Sequence, residues 1–512
     1  METRSAKRKK PCQNPPPADL DDEDRVSDLP NDILHHVISF LPIKSAAQTS
    51  VLSRRWRELW YSFPDLDFTT AYSPPHIDSA CRDAERRVRL HVARCAGYAD
   101  QILSLLEKHS DVRVLRFRAS LTFSRLSALI RHAVRHNVQE LDIEVSTCDY
   151  FNFPRSVIGS STLRSLRLKS CHPGFRLPPL QIMKDGFRSL SVLSLSRLIL
   201  CDQPHLTNLF TNSSFPLLKK LHLEACFDLR HLRIESPALE DLSLENCYQL
   251  QDLEIRVQKL KKLRVRSCFD AYSVSSRVEI EAPDLRIMFW SYNAVTEECI
   301  LHDLTHLQEA FVGFYLLPED LSASKIISVW NFLSGMSNCH SLTLESQCIE
   351  ILSKHNHFAG LSLRSFNKLK YLELATGFNK HNNSGLESIF RSSPTIHTIT
   401  IMIIRDRSAQ QQEWNKDLWQ SPSSGEERHW ESQAQSLSSF LHHLKVVKIH
   451  GFSECANDVS IVKFLLKHGK VLQQVFLSAS LSKGRDSLLR EKIKSQILGF
   501  SRASSNANIV FQ

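Results

Sequence analysis

The sequence predicts an α/β solenoid: a curved stack of short parallel strands with a small helical unit ahead of it. Three observations carry that prediction. Residues 218–226 read Leu-Lys-Lys-Leu-His-Leu-Glu-Ala-Cys, residues 239–247 Leu-Glu-Asp-Leu-Ser-Leu-Glu-Asn-Cys, and residues 260–268 Leu-Lys-Lys-Leu-Arg-Val-Arg-Ser-Cys, so that Cys226, Cys247 and Cys268 stand 21 residues apart. Weaker copies of the same line lie between them, at Leu229–Ile234 and Leu250–Ile255. The pattern apolar-x-x-apolar-x-apolar then recurs along the chain from Val112–Phe117 to Ile396–Ile401.

A fixed step closed by Cys or Asn after -x-x-Leu-x-Leu is the leucine-rich-repeat signature. In a strand, alternate side chains face opposite ways, so Leu221 and Leu223 point inward while His222 points out. One unit cannot cover its own leucines, so units stack and share a continuous core. The expected result is a leucine-rich-repeat horseshoe with a parallel β-sheet on its concave face. A 21-residue unit is too short for a helix, and the intermediate copies predict extended segments on the opposite face as well. The early units take longer steps, such as 26 from Leu115 to Leu141 and 27 from Leu166 to Leu193. That leaves room for a helix over Ser124–His136, where Leu126, Leu129, Ile130 and Val134 are helically spaced.

Taken in order, residues 1–24 hold the basic run Lys7, Arg8, Lys9 and Lys10, the run Pro15-Pro16-Pro17 and an acidic run. This tail has too little apolar area to offset its chain entropy and is expected to be disordered. The basic run is a nuclear-import candidate. Residues 25–70 read as three short helices. Pro30 suits a first helical turn, Ile33, Leu34, Val37, Ile38 and Leu41 form one wide apolar face, and Pro42 stops the helix. A second helix spans Lys44–Gln48, and a third carries Leu52, Trp56, Leu59 and Trp60 on one side. Residues 71–110 read as a linker and the start of the solenoid, which occupies 111–403. An irregular insertion at 404–436 is expected to fold its tryptophans, Trp414, Trp419 and Trp430, back onto the array. Closing units, with a helix over Asp458–His468 and a strand over Leu472–Leu477, fill 437–512 and cap the stack.

Composition narrows the function. The 512 residues are 42% hydrophobic and 23% charged, as in an ordinary soluble fold. With no apolar run long enough to span a bilayer and no secretory signal, the expected location is nucleus or cytoplasm, with no membrane partner. The chain has only 14 glycines, and no phosphate-binding glycine loop is found. There is no Cys-x-x-Cys pair, so the cysteines, including Cys171, are expected to be buried thiols rather than metal ligands. His132 and His136 have metal-ligand spacing but no third ligand, and His355-Asn356-His357 lacks any nuclease context. His35, His36, His442 and His443 read as solvent-side neighbours of apolar positions. No G-x-S-x-G elbow or H-E-x-x-H pair is present. No catalytic residue, metal or cofactor is expected. The formal charge of +9 is spread along the chain, which argues against a nucleic-acid partner.

The run from Leu29-Pro30 through Leu41-Pro42 to Val51-Leu52-Ser53-Arg54-Arg55-Trp56-Arg57-Glu58-Leu59-Trp60 resembles an F-box of the plant type. The resemblance implies a horseshoe preceded by a small three-helix F-box. Its closing residues resemble the FBD region of plant F-box/LRR proteins. The resemblance implies a substrate-recognition subunit of an SCF-type ubiquitin ligase, non-catalytic itself. A Skp-type adaptor, and through it a cullin scaffold, would bind Leu29, Pro30, Ile33, Leu34, Val37, Ile38, Leu41, Pro42, Val51, Leu52 and Trp56. On physical grounds too, three short helices cannot hide so many large apolar side chains.

The target of such a receptor is expected on the concave sheet, whose outward residues stand side by side across the strands. The candidates are Arg167, His222, Glu224, Ser243, Glu245, Lys262, Arg264, Arg266, Phe289 and Phe311. Basic residues gathering at Lys262–Arg266 next to two aromatics suggest an acidic peptide. The alternatives are a scaffold that recruits no ligase and a receptor for a small molecule.

Overall fold

The protein is seen in a computed structural model, which describes residues 26, 28–69, 104, 107–109, 112–146, 151–170, 174–178, 180–183, 186–200, 210–211, 214–272, 275–302, 304–315, 322–354, 363–378, 382–404, 424–452, 456–479 and 487–512. The basic run Lys7–Lys10, Cys171, His355–His357, Trp414 and Trp419 lie outside the described residues, as does most of 71–110.

Among the described residues sixteen strands form one parallel sheet in strict chain order, from Asp65–Asp67 to Asn508–Phe511. Each pairs in register with the next, so Leu221 meets Leu242 and then Leu263, and His222 meets Ser243 and then Arg264. The leucines of each strand are buried between layers, and their neighbours line the concave face. The intermediate copies are strands as well. His231–Glu235 and Asp252–Arg256 join Phe210–Thr211, Arg277–Glu281 and Glu298–His302 in a five-stranded parallel sheet on the back. Across the middle repeats the solenoid is therefore two sheets over one core.

The corner between the sheets has a specific backbone device. Arg197, Ala225, Asn246, Ser267 and Tyr292 all have positive φ, between 51° and 64°. They occupy equivalent register positions in successive repeats, just past the front strand for the first four and within the longer strand Ile287–Ala294 for Tyr292. A left-handed residue with a Cβ costs about 1–2 kcal/mol. Stacking offsets that cost, because the Ala225, Asn246 and Ser267 N–H groups donate to the next repeat at 2.8–3.1 Å. The turn sends the following cysteine inward. Cys226, Cys247 and Cys268 are buried free thiols, and the Cys268 thiol donates to the Leu244 carbonyl at 3.3 Å. The Cys226 thiol is pushed well above the usual thiol range by its hydrogen bond with Cys247 and then by burial, and the Cys268 thiol by burial and then by Cys247.

In earlier repeats Phe151–Asn152, Phe175–Arg176 and Leu198–Ile199 form a further three-stranded parallel sheet, and helices fill other units. Phe123–Arg135 buries Leu126, Leu129, Ile130 and Ala133, so Ala133 faces the core where Val134 was expected. Helices Ala323–Gly335, Ser346–Lys354 and Asn383–Ser392 occupy the longer late units. Trp290 marks the change of layer, with its ring centroid 5.6 Å from Phe269 and 5.1 Å from Phe332 of the first of these helices. The expected insertion is helical over Ser424–Ser432, and its Trp430 is buried among Phe390 and Phe464. Helix Ser487–Leu498 and the last strand, which had no clear sequence pattern, complete the array.

Three helices lead the chain: α1 Asn31–Ser39, α2 Ile43–Thr49 and α3 Arg54–Tyr61. They run directly into strand Asp65–Asp67, which pairs with Val114–Arg116 as the first strand of the great sheet. Trp60 is buried, stacked on Phe63 and edge-on to His109. It belongs to the joint between head and solenoid, and the head is fixed to the horseshoe by backbone pairing.

Candidate functional site

The helical head divides its apolar residues between two stripes. On α1, Leu34 and Ile38 are one helical turn apart, and so are Ile33 and Val37 on the adjacent stripe, which Leu41 continues just past the helix end. The structure turns the first pair inward, at 1% and 0% exposure, where they pack with Leu59 and Trp60. The two therefore serve this chain's own core and are withdrawn from any partner surface. The second stripe faces outward, with Ile33, Val37 and Leu41 all exposed.

Phe40 is 75% exposed beside that stripe, and in the turn before α3 Val51 and Leu52 are 80% and 66% exposed. Leu52 was expected on the third helix but precedes it, because Ser53 caps that helix by accepting from the Trp56 N–H at 3.2 Å. Pro30 and Pro42 are exposed as the residues that open α1 and α2. Leu29 and Trp56 are half-buried against the core. Arg55 holds the head together, donating to the Leu29 carbonyl and to Asn31 Oδ1 at 3.0 Å. His35 is not a bystander either, since its Nε2 lies 3.1 Å from Ser62 Oγ on the far side of α3. Sequence reasoning missed Phe40, although its place just before Leu41-Pro42, at the exposed helix end, was a usable signal.

The second surface is the concave sheet. At its N-terminal end the charges cancel one another. Arg113 pairs with Asp65 at 2.5 Å, Arg116 with Asp67 and Glu140 at 3.6 and 3.4 Å, and Arg118 with Glu144 at 2.6 Å. Arg167, a target-site candidate, pairs with Asp142 at 3.7 Å. Further along, Glu224 accepts from Ser196 at 3.0 Å and Glu245 from Ser243 at 2.9 Å. His222 sits half-buried beside Ser243.

The middle of the face differs. Among the described residues no ion pair forms to Lys262, Arg264 or Arg266. The Arg264 guanidinium lies 4.7 Å over the Phe289 ring, and Phe289 stacks on Phe311 at 4.4 Å with the rings 12° apart. Arg266 stands 5.2 Å over Tyr292. Beyond it, the Glu345 carboxyl lies over Gly313, where any Cβ would collide with it. Burial raises its pKa, with Arg266 opposing the shift. Arg264, Phe289 and Phe311 thus form a stacked, rigid ledge of the kind that dominates protein interfaces. Tyr292 and Glu345 extend it, and sequence spacing gave no sign of either. Among the described residues no cluster of His, Cys, Asp and Glu could hold a metal ion, and no helix is long and apolar enough to cross a membrane.

A three-helix head with an outward apolar stripe, joined by a strand to a leucine-rich-repeat horseshoe, defines the class of F-box/leucine-rich-repeat proteins. Residues 26–67 match the F-box domain. Residues 126–289 match the LRR repeats of FBD-associated F-box protein At5g56370, and 228–504 the LRR domain of At1g61320/AtMIF1. The chain is 45% identical over 515 residues to the F-box/FBD/LRR-repeat protein At4g03220 of Arabidopsis thaliana, covering 100% of both chains. It is 23% identical over 513 residues to F-box/FBD/LRR-repeat protein At5g44980 of the same plant, covering 96% of this chain and 99% of that one. The chain belongs to the F-box/FBD/LRR-repeat family.

Proposed function

We propose that this protein is the substrate-recognition subunit of an SCF-type cullin–RING ubiquitin ligase, acting in the nucleus or cytoplasm and catalysing nothing itself. The head binds a Skp-type adaptor through Ile33, Val37, Phe40, Leu41, Val51 and Leu52, with Leu29, Pro30, Pro42 and Trp56 framing the stripe. The concave ledge of Arg264, Phe289 and Phe311, with Lys262 and Arg266 at its margins, binds the protein to be ubiquitinated. Its contribution to the reaction is proximity, which raises the effective concentration of target lysines near the ubiquitin-loaded enzyme.

The observation that carries this reading is the outward stripe on a head whose other stripe is fully buried. Covering each such side chain contributes about 1.5–3 kcal/mol, and among the described residues nothing covers the stripe. The strand pairing of Asp65–Asp67 supports the reading further, because a rigid joint holds target and adaptor at a fixed separation.

The test is adaptor capture by full-length protein carrying Val51→Asp and Leu52→Asp. Both positions are exposed, so circular dichroism and melting should not change while capture is lost. Undiminished capture would remove the interface assignment. If wild-type protein captures no adaptor, the scaffold reading takes its place.

A further inference from the structure

The N-terminal edge of the concave sheet carries one residue just ahead of each strand, and backbone hydrogen bonds link these residues in a line. Over the C-terminal half the line reads Gln308, His340, Lys370, His397, Lys445 and Gln473, each N–H donating to the carbonyl before it at 2.8–3.0 Å. Adjacent strands lie about 4.8 Å apart, so His340 to Lys445 makes a basic line of about 15 Å. Among the described residues no ion pair forms to Lys370 or Lys445. At two earlier positions of the same edge the cation is matched, Arg113 by Asp65 and Lys261 by Glu240 at 2.7 Å. The local potential is felt by His397, whose pKa is lowered by burial and then by Lys370, Lys445 and His443.

One residue further into the strands, a shallow cavity of about 480 Å³ opens on the concave face. Ser341, Thr398 and Thr400 supply hydroxyls to it, Tyr371 stands at its mouth, and the Lys448 ammonium lies 6.0 Å from the Phe476 ring on its floor. Glu373 is its one carboxylate among the lining residues.

We propose that this edge and cavity dock an acidic, extended segment of a protein partner. Its carboxylates sit on Lys370 and Lys445, and its backbone crosses the hydroxyl-lined floor, where Glu373 accepts from its N–H groups. Charge complementarity selects the occupant, since among the described residues no acidic partner meets these cations. The line is also bounded, by Gln308 and Glu309 at one end and Gln473 at the other. Its length suits about four or five extended residues. It is too short for the six to ten or so phosphate contacts of a typical nucleic-acid interface. The site is distinct from the Arg264–Phe311 ledge, and it stands whether or not the head recruits an adaptor.

The experiment is fluorescence anisotropy on the full-length chain. The probes are a labelled peptide of alternating Glu and Ser, its Gln–Ser analogue, and oligothymidylate as a polyanion control. The acidic peptide should bind and the neutral analogue should not. Lys370→Gln with Lys445→Gln should weaken binding about tenfold at low salt, and the difference should shrink as salt is raised. Lys370→Arg with Lys445→Arg should keep the affinity, and Lys262→Gln with Arg264→Gln should leave it within about twofold. Equal binding of the two peptides, or no loss in the glutamine variant, would overturn the proposal. So would oligothymidylate binding more tightly than the acidic peptide, which would point to a nucleic acid instead. Adaptor capture by the same preparations keeps failure here separate from failure of the ligase reading.

Discussion

The two sheets of the middle repeats share one core and opposite fates. On the back, every arginine of the inner strands has carboxylates in reach. Arg233 meets Glu235 and, at 3.7 Å, Glu254; Arg256 meets Glu254 at 2.7 Å and Glu279 at 3.5 Å; Arg277 meets Glu279 at 2.8 Å and Glu298 at 3.2 Å. On the front of the same repeats Lys262, Arg264 and Arg266 meet aromatic rings or solvent. The leucines are equivalent in both sheets, so the difference lies wholly in the residues between them. A charged face whose charges are matched within the chain has little left for a partner, whereas the front keeps its cations available. The back sheet is a wall of matched charge, and the front sheet is the surface we propose for binding.

The comparison can be tested from its strongest term downward. Leu242→Ala in the front sheet and Leu253→Ala in the back are both at 0% exposure. Each should cost about 2–5 kcal/mol in urea denaturation. A large inequality would show that the sheets do not share the core equally. Next, Arg256→Ala on the back leaves Glu254 and Glu279 side by side across the strands. It should destabilise by about 0.5–1 kcal/mol, less at high salt, while Arg264→Ala on the front should change stability by under about 0.5 kcal/mol. If the front substitution proved the costlier in thermal melts, the division into wall and binding surface would fail.

The smallest effect is a titration. His397 has its pKa lowered from 6.5, so its folded form binds protons less readily than the unfolded chain. Its contribution to stability is therefore complete above the unfolded pKa and is lost as pH falls through the folded one. Lys445→Gln should move the His397 midpoint back toward 6.5, as followed by NMR. An unmoved midpoint would mean that the edge is not positively charged at that point.

Much of this was legible in the sequence because stacked repeats turn spacing directly into position. The 21-residue step places Ser243 beside His222 and Arg264, and the intermediate lines announce the back strands. Phe289 and Phe311 could be expected as neighbours because each sits at the middle of its line. The helical head was less transparent. Ile33, Leu34, Val37, Ile38 and Leu41 make one apolar face by periodicity, and periodicity cannot say which half of a wide face the rest of the fold will cover. Trp60 was equally undecided until strand Asp65–Asp67 drew the end of α3 against the sheet. The left-handed corners at Ala225 and Ser267 carry no glycine to betray them, since a hydrogen bond to the next repeat does the work that a glycine would do in an isolated turn.

By itself, then, the sequence determined the repeat, the inward and outward alternation of each strand, the two-sided middle and the family of the head. These follow from local period and from the need of leucines to be covered. Tertiary structure alone decided which apolar stripe stays outside and which cations go unmatched. The edge formed by His340, Lys370, His397 and Lys445 is assembled from residues 27 to 48 positions apart. Only the register of parallel strands, fixed by packing of the core beneath them, brings such distant charges into line.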